Sequence, residues 1–177
     1  MLFATHAAAG VFAGAVVMRT MEADPALLPW GLLMGAGAAM LPDLDHPGST
    51  AGQRAPVASR LISAAFGHRT ATHSLLAAAA FTLALKLIWP SIPPPLLWSA
   101  AAGYVSHLAA DSLTNEGAMW LWPLRFSPAL PKILPRPMRG LFVTGGPLER
   151  HVVAPALWIG IGWALMPMLL EFLKKGA

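Results

Sequence analysis

His107-Leu-Ala-Ala-Asp111 places an imidazole and a carboxylate four residues apart, so on a helix both project from one face and can grip one cation. Pro42-Asp43-Leu44-Asp45-His46 sets two carboxylates two residues apart. Like charges so close in an apolar chain repel each other, and a cation relieves them. The plainer alternative is a solvated turn in which Asp45 caps the next segment. In Gly67-His68-Arg69-Thr70-Ala71-Thr72-His73-Ser74, Thr72 is placed to cap a helix and His73 would point from its first turn. Arg69 offers a fork for phosphate. His6, beside Thr5, and His73 each read singly as hydrogen-bonded histidines as well as ligands. Glu149 reads either as a site residue or as an acid complementing a helix dipole, and His151 as an interfacial residue.

These motifs need elements to carry them, and composition says what those are. The chain has 177 residues, the length of one domain (1–177), with 56% hydrophobic and only 11% charged residues. Soluble domains carry about a quarter charged residues, so too little polar surface is available for water. Five apolar segments can be drawn, Leu2–Met21, Leu27–Leu41, His73–Trp89, Pro95–Leu113 and Val152–Leu173. The expectation is an all-α integral membrane bundle of about five hydrophobic helices, although a clean span needs about 20 apolar residues and several of these fall short. Gly10 and Gly14, like Gly31 and Gly35, are four apart, a spacing that lets helix backbones approach closely in lipid. Pro93–Pro95 marks a tight turn.

If all five segments cross, both long connections, 42–72 and 114–150, lie on the side of the N-terminus. They carry Arg54, Arg60, Arg69, Arg125, Lys132, Arg136, Arg139 and Arg150, against Arg19, Lys86, Lys174 and Lys175 at the other side. That bias puts the long connections in the cytoplasm. Of eight acids, Asp43, Asp45, Asp111, Glu116 and Glu149 fall at this face, as do all six histidines. Ionisable groups at the edge of lipid are costly, so their default reading is functional. The absence of cysteine excludes disulfides and thiolate metal sites. The net charge of +4 is assigned to anionic headgroups and phosphate substrates rather than to nucleic acid. Trp120 and Trp122 suit an interfacial belt or ordinary loop packing.

Thr5-His6, Leu41-Pro-Asp-Leu-Asp-His46, Gly67-His-Arg-Thr-Ala-Thr-His-Ser74, His107-Leu-Ala-Ala-Asp111 with Thr114 and Gly117, Leu121-Trp-Pro123 and Thr144-Gly-Gly-Pro-Leu-Glu149 together resemble the YdjM-like family. Those are inner-membrane proteins described as LexA-regulated, membrane-bound, metal-dependent hydrolases. The pattern is also distantly similar to the all-helical zinc-dependent phospholipases C. That likeness implies His6, His73, His107 and Asp111 as ligands, with Asp111 able to bridge two ions. One of Asp43 and Asp45 would be a further ligand, or the base that orients water. The chain departs from the phospholipases in lacking a later H-x-x-x-E pair, which argues against a third metal. It also opens on Met1 within a helix, which argues against ligation by a terminal amine.

The resulting expectation is a bacterial inner-membrane, multi-pass hydrolase with its site on the cytoplasmic face. One or two divalent ions, zinc first and manganese second, would act on a phospholipid or other amphiphilic phosphoester. Asp45 and His68 are the expected catalytic groups, His68 donating a proton or serving as a further ligand. Arg69, then Arg54, would hold phosphate, and His46 and Glu149 would support the ligands. The rivals are an ion-binding membrane transporter and a structural protein whose polar cluster ties loops together. Substrate identity and oligomeric state are not encoded in any motif.

Overall fold

The structure, a computed structural model, describes residues 1–115, 117–124 and 143–176. Its elements are all helical: α1 (Phe3–Thr20), α2 (Leu28–Ala38), α3 (Thr50–Arg54), α4 (Pro56–Phe66), α5 (Leu75–Ile88), α6 (Pro94–Ser112) and α7 (Ala154–Gly176). Short turns of tighter helix at Pro25–Leu27, Pro42–Asp45 and Ala71–His73 link them, and a π-turn at Glu149–Val153 opens α7. No strand occurs among the described residues.

Local chemistry accounts for the breaks. Asp24 accepts from the Ala26 N–H at 2.9 Å and starts the turn into α2, whose first turn holds Pro29. Ser49 caps α3 through the Gly52 N–H at 2.9 Å. Gly67, at φ 76°, ends α4 in a conformation that a side chain would resist. Ser74 caps α5, accepting from Ala77 N at 3.1 Å. The cap therefore lies two residues beyond the expected Thr72, whose hydroxyl donates to the Asp45 carboxylate instead. Pro94 and Pro95 occupy the first turn of α6, where no amide donor is needed.

The centre of the molecule is the packing of α1, α2 and α6 upon one another, with α7 against α1 and α5 against α6. Small residues make this possible. A Cβ on Gly10 or on Gly103 would overlap the Gly35 carbonyl oxygen, and one on Gly14 would lie 2.7 Å from the Gly31 oxygen. The backbones thus touch where the glycine spacing put them.

Alongside a buried apolar core, large apolar side chains lie outward and charged ones inward. Ile88 is 83% exposed and Ile159 74%, while Asp45, His73, His107 and Asp111 are 0% exposed. Exposed apolar side chains around a buried polar cluster suit a lipid surround. Five clean crossings are not what the helices provide. Among the described residues two stretches are long and apolar enough to span, Pro25–Asp45 (21 residues) and Glu149–Glu171 (23 residues). Helix α5 has 14 residues, about 21 Å of helix against a hydrocarbon core of about 30 Å. The five apolar segments are all helices, but segment hydrophobicity did not guarantee segment length.

Candidate metal centre

Three elements deliver the polar interior: the start of α1, the end of α6 and the turns flanking α3 and α4. Helix α6 brings His107 and Asp111 to one face as their spacing required, with His107 Nε2 3.7 Å from Asp111 Oδ2. Helix α1 adds His6, stacked on His107 with ring centroids 3.8 Å apart and Nε2 3.3 Å from Asp111 Oδ1. The Ala71–His73 turn adds His73, whose Nε2 is 3.5 Å from Asp111 Oδ2 and 3.1 Å from His107 Nε2. The Tyr104 hydroxyl donates to the Thr72 carbonyl at 2.6 Å and pins that turn to α6. Asp43 completes the ring, its Oδ1 3.7 Å from His107 Nε2.

The tautomers are set by the outer partners. His107 Nδ1 lies 2.7 Å from the Ala39 carbonyl, an acceptor only, so Nδ1 carries the hydrogen and Nε2 a lone pair. His73 Nδ1 lies 3.1 Å from Asp45 Oδ2, which likewise directs its hydrogen outward. With both rings neutral, two imidazole lone pairs then face each other across 3.1 Å, beside the buried Asp111 Oδ2, which Arg69 Nη2 approaches at 3.3 Å. Such an arrangement is repulsive unless a cation or a proton sits among the atoms. Ligands about 2.1 Å from one tetrahedral ion stand roughly 3.4 Å apart, the separation found here. Two groups, His6 with His107 and Asp111, and Asp43 with His73 and His107, have ligand atoms within 4.8 Å of one another. The donor set therefore fits a divalent metal. In the metal-free molecule, burial depresses the His73 pKa, but the Asp111 and Asp45 carboxylates outweigh it and the net shift is upward.

Asp45 stands outside this ring. It accepts from His68 Nδ1 at 2.6 Å, Arg69 N at 2.9 Å, the Thr72 hydroxyl and His73 Nδ1. Its oxygens face the back edges of two imidazoles, which is a supporting position rather than a ligand's. Of the acidic pair, Asp43 is the one whose carboxylate reaches the Nε2 atoms. His68 lies at the rim with its side chain 35% exposed, and the exposed His46 ring tilts against it at 4.7 Å. Arg69 Nη2 lies 3.3 Å from Asp111 Oδ2, and its Nη1 donates to the Thr114 hydroxyl at 3.3 Å.

Other expected site residues sit elsewhere. Arg54 is exposed, with its guanidinium 5.7 Å over the Phe3 ring. Glu149 is buried and accepts from Leu2 N and Gly145 N, each at 2.7 Å, so it fastens the start of α1 to the loop before α7. His151 is exposed. Glu116, Arg125, Lys132, Arg136 and Arg139 lie outside the described residues. Trp120 donates to Ser112 Oγ at 2.8 Å, while Trp122 meets Phe66 edge-on at 6.1 Å.

Three contributors carry no mark in the sequence that reveals their part. The Ala39 carbonyl has no side-chain signal. Thr72 looks like a cap. The Met1 amine lies 2.9 Å from Asp111 Oδ1 and is buried, where a terminal amine was not expected.

The chain is 38% identical over 156 residues to inner membrane protein YdjM of Escherichia coli strain K12, covering 84% of this chain and 76% of that one. The YdjM inner membrane protein of Shigella flexneri gives the same figures, 38% over 156 residues. Bacillus subtilis strain 168 has a relative named uncharacterized protein YvsG, 34% identical over 129 residues, 72% of this chain and 76% of that one. No solved structure matches. The family model described as YdjM inner membrane protein matches residues 1–175, and the chain belongs to that family.

Proposed function

We propose that the protein is a membrane-bound, metal-dependent hydrolase of a phosphoester carried by a lipid or other amphiphile. The observation that carries this reading is the convergence of His6, His73 and His107 Nε2 on Asp111, with lone pairs opposed across 3.1 Å between His73 and His107. With both rings neutral these two atoms are opposed acceptors, which a shared cation relieves and, without one, a proton on His73 Nε2.

His6, His73, His107, Asp111 and Asp43 would hold one or two ions. Mixed imidazole and carboxylate donors suit zinc, with manganese next. A bound ion of this kind brings the pKa of water toward neutrality and polarises a phosphoryl oxygen. The chain's own residues do the rest. Asp45 fixes the rings of His73 and His68 through their Nδ1 atoms. His68, at the rim, is placed to hold the proton that a leaving alkoxide needs. Arg69, its backbone N–H on Asp45 and its guanidinium beside Asp111, is placed to receive a phosphate oxygen at the mouth.

The site end of the molecule is assigned to the cytoplasmic face of the bacterial inner membrane. Support comes from Arg54, Arg60, Arg69 and Arg150 at that end, and from relatives named inner membrane proteins. The test is metal analysis and phosphoester hydrolysis by detergent-purified protein. Wild type should retain divalent metal and cleave a long-chain phosphoester. His107→Ala and Asp111→Ala should lose both, and a wild type that purifies and remains metal-free in added zinc and manganese overturns the reading.

A further inference from the structure

Helix α4 is amphipathic the wrong way round for a protein in water. Ser59 faces inward, fully buried with its Oγ lacking a hydrogen-bond partner. Val57 and Leu61 face outward, at 72% and 66% exposed. Arg60 shares the outward side of Val57 and Leu61 by helical spacing and is exposed. A helix with carbon outward and a snorkelling cation lies at the level of the headgroups, not in water.

Between this helix and α5 is a cleft of about 370 Å³. Ile62 and Phe66 form one side, Leu76 and Ala80 the other, and Trp122 the end. Thr72 and Ser74 also line it, yet their hydroxyls are engaged elsewhere, Thr72 on Asp45 and Ser74 on the Ala71 carbonyl. The cleft therefore asks for no hydrogen bonds. Its volume holds roughly a dozen groups the size of a water or a methylene. The mouth is continuous with the exposed apolar side of α5 at Leu76 and Leu83, which is the lipid-facing belt.

The inner end of the cleft fixes what enters it. Thr72 lines the cleft through its carbon face while its hydroxyl holds Asp45, and the next residue is the buried ligand candidate His73. Arg69 lies three residues before Thr72, with its guanidinium at Asp111. A molecule with its chain in this cleft and an anionic end at Arg69 would span from lipid to the metal centre.

We propose that the cleft between α4 and α5 seats the hydrocarbon chain of a membrane lipid phosphoester, admitted sideways from the leaflet, with its phosphate at Arg69 and the metal centre. This rests on the hydrolase reading for the fate of the lipid, but not for its seat. The test uses full-length protein in detergent, dioleoyl phosphatidate as the probe, and native mass spectrometry to count retained lipid. Ala80→Trp fills the cleft from an exposed position. Ala79→Trp places the same ring on an exposed neighbour that does not line it. Ala80→Trp should weaken phosphatidate retention about tenfold, equivalent to losing roughly two buried methylenes, with metal content unchanged. Ala79→Trp should match wild type. Equal retention by Ala80→Trp and wild type, or equal loss in both variants, overturns the assignment. Selective loss in Ala80→Trp, with no hydrolysis of any phosphoester by wild type, upholds the cleft and removes the hydrolase reading alone.

Discussion

Replacing Asp45 by asparagine tests whether the outer partners of the histidines matter as the geometry says. Four donors point at this buried carboxylate: His68 Nδ1, the Arg69 N–H, the Thr72 hydroxyl and His73 Nδ1. Three of them meet Oδ2 and one meets Oδ1. An asparagine amide can keep its oxygen at the Oδ2 position and so retain three, while its NH2 meets His68 and forces that ring to the other tautomer. His73 then keeps its orientation but loses the carboxylate that makes its Nε2 more basic. Loss of such an outer partner costs about 10–100-fold in metal affinity. Asp45→Asn belongs at the tenfold end, about 1.4 kcal/mol, because the ring stays aimed. Asp45→Ala removes every acceptor and belongs at the hundredfold end. Competition for zinc against a chromogenic chelator, in detergent, measures both. Two results would show this account to be wrong: Asp45→Asn affinity equal to wild type, or as low as that of Asp111→Ala. The first would mean that the carboxylate does not tune His73, and the second that it is itself a ligand.

The same geometry sets two further outcomes. Gly103→Ala should lower stability by about 1–3 kcal/mol, since its Cβ would overlap backbone at Gly35 rather than a side chain that could turn away. Gly162→Ala, which meets nothing within 4 Å, should leave stability unchanged or slightly raised, and thermal melts in detergent compare the two. The second outcome concerns pH. With its folded-state pKa raised, protonated His73 stabilises the metal-free molecule fully below the ordinary histidine range, and that stability is lost as pH rises through the raised value. Metal needs the same ring deprotonated. Zinc affinity should therefore fall as pH drops through the His73 range, while chelated protein melts at a lower temperature as pH rises. Parallel pH profiles with and without chelator would contradict this.

Much of the site was legible because its chemistry is written in residue type. Imidazoles and carboxylates are rare in an apolar chain, and helical spacing alone put His107 beside Asp111. The apolar segments likewise became helices, since hydrophobic runs rich in alanine have few other ways to satisfy their backbone. What could not be read was which atom of each group faces which neighbour. Asp43 and Asp45 look equivalent in sequence, but the tight turn at Pro42–Asp45 turns one carboxylate toward the Nε2 atoms and the other toward the Nδ1 atoms. Helix α4 was hidden inside a connection because its apolar residues Val57 and Leu61 are exposed while its Ser59 is buried. An amphipathic pattern does not say which side is solvent. The Ala39 carbonyl is a backbone group, common to every residue and so unmarked in any one.

The glycine contacts and the candidate metal centre are one construction. Gly35 lies where α1, α2 and α6 meet, so close that neither Gly10 nor Gly103 tolerates a Cβ. Four residues on, one helical turn nearer the site, α2 presents the Ala39 carbonyl to His107 Nδ1 at 2.7 Å. Residue 107 is likewise four beyond Gly103 on α6, and His6 is four before Gly10 on α1. The three backbones converge at their glycines and deliver His6, His107 and the Ala39 carbonyl one turn away. A side chain at the crossing would separate the helices by more than a hydrogen bond can stretch, and the tautomer of His107 would lose its anchor. The small residues that let the bundle pack in lipid thus also fix which nitrogen of His107 faces inward, and Gly103→Ala should reduce zinc affinity along with stability.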